Sequence, residues 1–296
     1  MKIGLLCADD HSNFMYNLWQ SLKTTGHEVI ANKLTLHPFA YTNQCPIILS
    51  KDVKETYKDC DLTILCHSDY ELLDLLDGLV IPYHTGTKYR NNPDFINTRF
   101  NSPITLIALP EFQLTAPNYK YVVSSIDTDT LQPTGTCSNP VVFGHYPSNT
   151  SVKGSLDIIN LMQSLPVNFK FGLNRVSYSE QIERLKAIDV YIELMNDNLG
   201  GKPYGSFGLT CLEAAALGKI VITQNVNDNG LYNDNYDIPP LNFIRNKEDL
   251  KKIVLNLDNY GDSHILGQQM ITRNWVVNNH SFEATGKRLI KILNGL

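Results

Sequence analysis

Short apolar runs alternate with amphipathic stretches along most of the chain. Residues 3–7 (Ile-Gly-Leu-Leu-Cys) read as a strand. Phe14, Met15, Leu18 and Leu22 then share one face of a helix that Gly26 ends, and residues 28–30 resume as a strand. A β-α-β opening of this kind predicts a parallel sheet. Further strands are expected at 62–66, 79–81, 104–107 and 121–123.

Residues 127–140 are polar and rich in turn formers, which marks a linker. The alternation then restarts, with strands at 141–144, 169–172, 190–192, 220–222 and 242–244. Helices are expected at 154–165, 179–187 and the segment carrying Glu213, then at 248–257, 263–277 and 281–293. The expected fold is α/β, with two Rossmann-like doubly wound domains facing a cleft. The N-terminal domain takes 1–130 and the C-terminal domain 140–280, while 281–296 forms a helix long enough to pack across a neighbouring domain, with the first domain as one candidate. A dinucleotide-binding turn wants G-x-G-x-x-G after the first strand, and Ala8-Asp9-Asp10-His11-Ser12 contains no glycine, which argues against a dehydrogenase. This acidic loop suggests no role of its own.

The richest stretch runs from Gly200 to Thr223. A glycine-rich loop enters an apolar helix, Gly218 stops it, and Ile220-Val221-Ile222 reads as a buried strand. Glu213 is the one ionisable residue between Ser206 and Gly218, and a carboxylate in apolar surroundings needs a partner. Two accounts are open. Thr210-x-x-Glu213 fits a capping box, in which the glutamate reaches back to a backbone N–H. Alternatively the helix N-terminus receives an anion and Glu213 accepts ligand hydroxyls.

With 296 residues, 43% hydrophobic and 19% charged, the chain is long enough for two domains with cores and reads as a soluble globular protein. A net charge of −5 gives no global basic field for nucleic acid. The six cysteines form no C-x-x-C pair and suit reduced thiols better than a disulfide framework or a zinc site. The first strand begins too early for a signal peptide, and no apolar run approaches the roughly 20 residues a membrane span needs. A cytoplasmic location is expected.

Over 141–225 the sequence resembles the GT-B glycosyltransferases of family 4, the retaining enzymes that use nucleotide sugars. The segment His145-Tyr146-Pro147-Ser148-Asn149 with Lys153-Gly154-Ser155 looks like the His-x-Pro-Ser-Asn…Lys-Gly-Thr of one bacterial branch. Tyr204-Gly205-Ser206-Phe207-Gly208, Leu212-Glu213-Ala214 and Gly218-Lys219 look like its Tyr-Gly-x-Phe…Leu-Glu-Ala…Gly-Lys. The resemblance implies that Lys153 acts on the donor diphosphate, aided by Ser148 and the backbone at Gly154, and that Glu213 holds the ribose hydroxyls. It places the amides of Phe207, Gly208 and Leu209, with Gly205 and His145, along the sugar and phosphate pocket, and Val176 and Ser177 beside the nucleobase. His84 and Arg90 become acceptor-side groups, His84 with a catalytic part. Ordinary structural roles stay open for several of these residues: Lys153 as a surface lysine, His84 and His145 as packed histidines, Ser177 as a helix cap.

One departure stands out. Many family members carry Glu-x7-Glu, and the position of the first glutamate is Gly205 here. The expected function is transfer of a sugar from a nucleoside diphosphate to an acceptor hydroxyl with retention of configuration. The nucleotide sugar is the co-substrate, no cofactor or metal is expected, and the acceptor is a glycan, a lipid-linked sugar, a small metabolite or a modified nucleobase. The alternatives are an inactive sugar-nucleotide-binding protein and a periplasmic-type two-domain binder, the latter disfavoured by the missing signal peptide.

Overall fold

The computed structural model describes residues 1–37, 39–196, 208–224, 232 and 234–296, together with the backbone of 198–199 and 202–203. Two compact units emerge: Met1–Ser125 with His280–Leu296, and Ile126–Asn279.

The first unit is built on a six-stranded sheet, every pair parallel, in the order β2-β1-β3-β4-β5-β6. Its strands are β1 (Lys2–Asp9), β2 (Glu28–Thr35), β3 (Leu62–Cys66), β4 (Val80–His84), β5 (Thr105–Ile107) and β6 (Tyr119–Tyr121). The last lies earlier than residues 121–123, because Tyr119–Tyr121 pairs with β5 while Val122 and Val123 are buried beyond the strand. Helices α1 (Phe14–Lys23), α2 (Ser50–Tyr57), α3 (Gly86–Asn91) and α4 (Pro93–Asn97) connect the strands. Gly4 is required by α2: a Cβ there would meet Tyr57 Cδ1 at 2.6 Å. Leu6, Leu65, Val53 and Tyr57 close the core on that side of the sheet.

The chain moves from β1 to β2 on one side and returns to β3 on the other. The switch between β1 and β3 therefore opens a crevice at the carboxyl ends of those strands, the usual ligand position in open α/β sheets.

The second unit repeats this logic with five parallel strands in the order β13-β12-β9-β7-β8. These are β7 (Val142–His145), β8 (Asn168–Phe171), β9 (Val190–Ile192), β12 (Ile220–Gln224) and β13 (Asn242–Ile244), with a short antiparallel pair β10 (Asn198–Leu199) and β11 (Lys202–Pro203) between β9 and β12. Helices α5 (Thr150–Lys153), α6 (Ser155–Gln163), α7 (Tyr178–Lys186), α8 (Leu209–Ala216) and α9 (Lys247–Asp258) complete the layers. Ile158 and Met162 of α6 and Leu250, Val254 and Leu257 of α9 pack with Val190, Ile192, Ile220 and Ile222. The switch point here lies between β7 and β9.

The helix expected over 154–165 forms as α6, Ser155–Gln163, and the short α5 precedes it. Gly154 takes a left-handed conformation, φ 65°, and separates α5 from α6. A side chain at 154 would also collide with the Met195 carbonyl oxygen, so both backbone angle and space demand glycine.

Two helices close the chain, α10 (Asp262–His280) and α11 (Phe282–Leu293). Arg273 of α10 ties the second unit together by donating to the carbonyls of Thr128, Leu131 and Ala216 at 2.5, 2.7 and 2.6 Å. In the first unit α11 lies along α1, and the two helices touch so closely that a Cβ on Gly286 would strike the Ser21 carbonyl oxygen. All six cysteines are free thiols. Among the described residues no helix is long and apolar enough to cross a membrane.

The α1–α11 contact gives a direct stability test. Gly286→Val should destabilise the first unit by about 1–3 kcal/mol through overpacking. Gly267→Ala in α10, where a new Cβ meets nothing within 4 Å, should be neutral or stabilise by up to about 1 kcal/mol. Urea unfolding of both variants checks this; equal midpoints would contradict the packing described.

Candidate functional site

The second unit concentrates its polar chemistry at the β7/β9 switch. His145 ends β7 fully buried, and its tautomer follows from its neighbours. Nδ1–H donates to the Ile192 carbonyl at 2.8 Å, so Nε2 accepts from the Ser155 hydroxyl, also at 2.8 Å. The ring thereby ties the ends of β7 and β9 to the first residue of α6, and burial lowers its pKa to about 4. The first turn of α6 is thus anchored at the crevice with its backbone N–H groups leading, the arrangement that favours an anion.

One residue past β9 stands Glu193. Its side chain is completely buried and forms an ion pair through Oε1 with Lys153, the last residue of α5, whose side chain keeps 13% of its exposure. Lys153 is held by more than this pair. The Met195 N–H donates to the Lys153 carbonyl at 3.1 Å, and the Asn196 amide donates to the carbonyls of Ser151 and Val152 at 3.2 and 3.0 Å. The segment after β9 therefore clamps the α5 turn. The backbone entering α8 comes just as close: a Cβ on Gly208 would lie 2.9 Å from Lys153 Nζ and collide with Glu193 Oε1. A side chain at 208 would push the ends of Glu193 and Lys153 out of their present positions.

Glu213 lies on the buried face of α8. The helix starts at Leu209 with Gly208 as its N-cap, and no side chain caps it, so Thr210 and Glu213 do not form a capping box. The Tyr178 hydroxyl, on the first residue of α7, bonds to Glu213. Burial, and then the charge of Glu193, push the Glu213 carboxyl up to about 7. Among the described residues Lys153 pairs with Glu193, and the neighbouring Glu213 carboxyl sits near neutrality.

The remaining residues anticipated in this unit surround that core. Ser177 caps α7 by accepting from the Glu180 N–H at 3.3 Å, which puts Val176 and Ser177 immediately before the Tyr178 that binds Glu213. Leu209 is the first residue of α8, and Ser148 is exposed in the turn after β7. Gly205 and Phe207 lie outside the described residues.

The first unit presents a different set at its own switch point. Asp10 is buried at the start of α1, where it accepts from the N–H groups of Met15 and Tyr16 at 2.6 and 2.9 Å, so the acidic loop acts as a helix cap. His67, directly after β3, approaches Asp10 at 3.4 Å through Nε2 and Thr85 Oγ1 at 2.7 Å through Nδ1. Ser12, Asn13, His67 and Ser68 all adopt left-handed φ values between 57° and 61°, so both loops at this switch carry strained non-glycine backbone. Three ligand-type atoms come within 4.8 Å of one another in two groups, Cys7/Asp10/His67 and Asp9/His11/His37. Asp10 and His67 are engaged as described, and the Phe39 N–H donates to His37 Nδ1 at 3.3 Å, which leaves the proton on Nε2 facing His11.

His84 and Arg90 also belong to the first unit. Burial lowers the His84 pKa to about 3; its Nδ1 meets the Ser68 hydroxyl at 2.9 Å and its ring stacks on Tyr89 at 3.9 Å. Arg90 pairs with Glu111 at 2.7 Å, both side chains largely buried. The two are built into the packing of the loop after β4.

No protein-family model and no curated protein matches the sequence. Solved structures do match in fold. The Anabaena protein Alr3699/HepE, crystallised with UDP and glucose, superposes with a TM-score of 0.70 at 13% identity, over 100% of both chains. A glycosyltransferase from Rickettsia africae gives 0.66 at 14% identity over 99% of this chain and 98% of its own. WaaG, a glycosyltransferase of lipopolysaccharide biosynthesis, gives 0.61 at 12% identity over 99% and 100%. The fold is GT-B-like. At these identities the likeness concerns the architecture of two parallel α/β units, and the chemistry must be argued from the residues above.

The two carboxyls predict a pH signature. Glu213 titrates near 7 in the fold against 4.5 for the free group, so between those values the native state keeps a proton that the unfolded chain has released. Raising the pH through that window lowers stability. His145 acts in the opposite sense: held neutral down to about 4, it costs stability as the pH falls below 6.5. Comparison with Glu213→Gln isolates the carboxyl: the stability of the variant relative to the parent should rise from pH 4.5 to about 7 and then level off. Denaturant titrations across this range read it, and a flat difference would contradict the placement of Glu213.

Proposed function

We propose that the chain is a glycosyltransferase that moves a sugar from a nucleoside diphosphate to an acceptor hydroxyl. The observation that carries this reading is the β7/β9 switch of the second unit. There a lysine, the first turn of α6 and a glycine-bound backbone converge with a buried glutamate on the next helix. The GT-B-like fold supports it, since that crevice is where such a sheet receives its ligand.

The hard step of glycosyl transfer is departure of the diphosphate, whose negative charge grows as the glycosidic bond breaks. Lys153 and the N–H groups at the start of α6 supply positive potential there without reorganisation. Glu213 accepts the ribose hydroxyls, with Tyr178 orienting its carboxyl and Val176 and Ser177 bordering the base. His145 positions: both its nitrogens are occupied, and it sets the geometry of β7, β9 and α6. Retention, and membership of the family 4 group, rest on the resemblance of Tyr204–Lys219 and His145–Ser155. The first unit takes the acceptor, with His84 and Arg90 shaping the loop after β4. The nucleotide sugar is a co-substrate, and no resident cofactor is invoked.

A second reading is a binding protein without turnover, favoured by Gly205, where relatives carry a carboxylate. The two separate in one experiment. Thermal shifts with UDP-, GDP-, ADP- and dTDP-sugars identify the donor, since a ligand that binds only the native state raises its melting temperature. Hydrolysis or transfer assays follow on the hits. Lys153→Ala should then lower turnover on the order of 10²-fold, the usual effect of losing one donor to a developing negative charge. Unchanged turnover would remove the diphosphate from Lys153; donor binding with no turnover of any sugar would favour the binding protein.

A further inference from the structure

Glu193 is the least explained group in the second unit. Its carboxylate is completely buried, yet only Oε1 is used by Lys153, and the Tyr191 hydroxyl interacts with the same carboxylate. Oε2 is buried and, among the described residues, accepts no hydrogen bond. A buried carboxylate oxygen left without a donor is costly, on the order of kilocalories for a charged group, so natural proteins seldom retain one without a use. The position deepens the point. Glu193 is the first residue past β9, on the switch point, and its own N–H is fixed to the Ile222 carbonyl at 2.8 Å, so the side chain starts from a rigid strand end.

The chemistry of the missing partner follows from charge. Lys153 already balances Glu193, and Glu213 adds a second buried carboxyl in the same field. A further anion at Oε2 would be repelled by both. A cation would place two positive charges around one carboxylate beside a site that already needs its lysine for phosphate. A neutral O–H donor satisfies the oxygen without either difficulty. Two neutral, hydroxyl-bearing parts flank the diphosphate, the ribose and the transferred sugar; the ribose hydroxyls go to Glu213 in the reading above, which leaves the transferred sugar for Oε2.

We infer that Glu193 reads the sugar of the donor: Oε2 accepts a sugar hydroxyl while Oε1 holds Lys153 toward the diphosphate. This rests on the nucleotide-sugar reading above. It makes Glu193 a specificity-determining residue, and it gives the close approach of Gly208 a purpose, since any side chain there would displace the carboxylate from its lysine.

The test compares each bare nucleoside diphosphate with its sugar conjugate by calorimetry: UDP and UDP-glucose, GDP and GDP-mannose, ADP and ADP-glucose, dTDP and dTDP-glucose. For the pair that the wild type binds, Glu193→Gln should leave the bare diphosphate bound as tightly or more tightly, because a negative charge beside Lys153 is gone. The conjugate should lose about 10-fold or more relative to it, as expected for one hydrogen bond to a charged acceptor. Glu193→Asp keeps the charge and withdraws the oxygen. It should lose the same preference for the conjugate without tightening the bare diphosphate. A merely structural glutamate would shift both ligands in parallel in both variants, and that result overturns the assignment while leaving the donor site intact. Absence of any nucleotide binding in the wild type would overturn the donor site itself, and Glu193 with it.

Discussion

The second unit is organised around one buried ion pair. Placing Lys153 and Glu193 together at a strand end removes two charges from water, and such a pair holds only when geometry and further hydrogen bonds offset the desolvation. The surrounding structure supplies both. Gly154 turns the chain so that Lys153 faces β9, Met195 and Asn196 hold the α5 turn by its carbonyls, and Gly208 lets the α8 backbone close over the pair. Exchanging either glycine would cost the arrangement by collision, and at Gly154 by backbone angle as well. Burial, and then the charge of Glu193, raise the Glu213 carboxyl, so packing and charge state are one problem in this crevice.

The two units solve the shared problem of an open parallel sheet differently. In the first, Asp10 at the β1/β3 switch is spent on the N-terminus of α1, with His67 and Thr85 completing a local network. In the second, the strand-end carboxylate of Glu193 is paired with a lysine and keeps an oxygen in reserve. A cap of the first kind builds the fold; a half-used carboxylate of the second kind suits a ligand.

Much of the fold was legible in sequence because parallel strands buried on both faces are uninterrupted apolar runs. Leu62–Cys66 and Ile220–Gln224 announce themselves in this way. The edge strand β6 ends before its apolar run does, since Val122 and Val123 continue the run after pairing with β5 has ended. The four-residue α5 is too short to show a helical period in the sequence, and only the contact with Met195 reveals why glycine follows it. Within the site, Lys153, His145 and Glu213 stood out by motif. Glu193 did not: it follows Val190-Tyr191-Ile192 as an ordinary polar residue ending a strand. Its importance appears only when β7, α5 and the Gly208 backbone, distant in sequence, are brought against it.

The central claim is that a nucleoside diphosphate sits at the β7/β9 switch, over the start of α6 and against the entry to α8. Amide hydrogen exchange with and without the nucleotide that gives the largest thermal shift locates it most directly. Slowed exchange at 153–157 and 208–212, with the first unit and the outer face of α9 unchanged, is the predicted footprint. Protection confined to segments away from that switch would contradict the account.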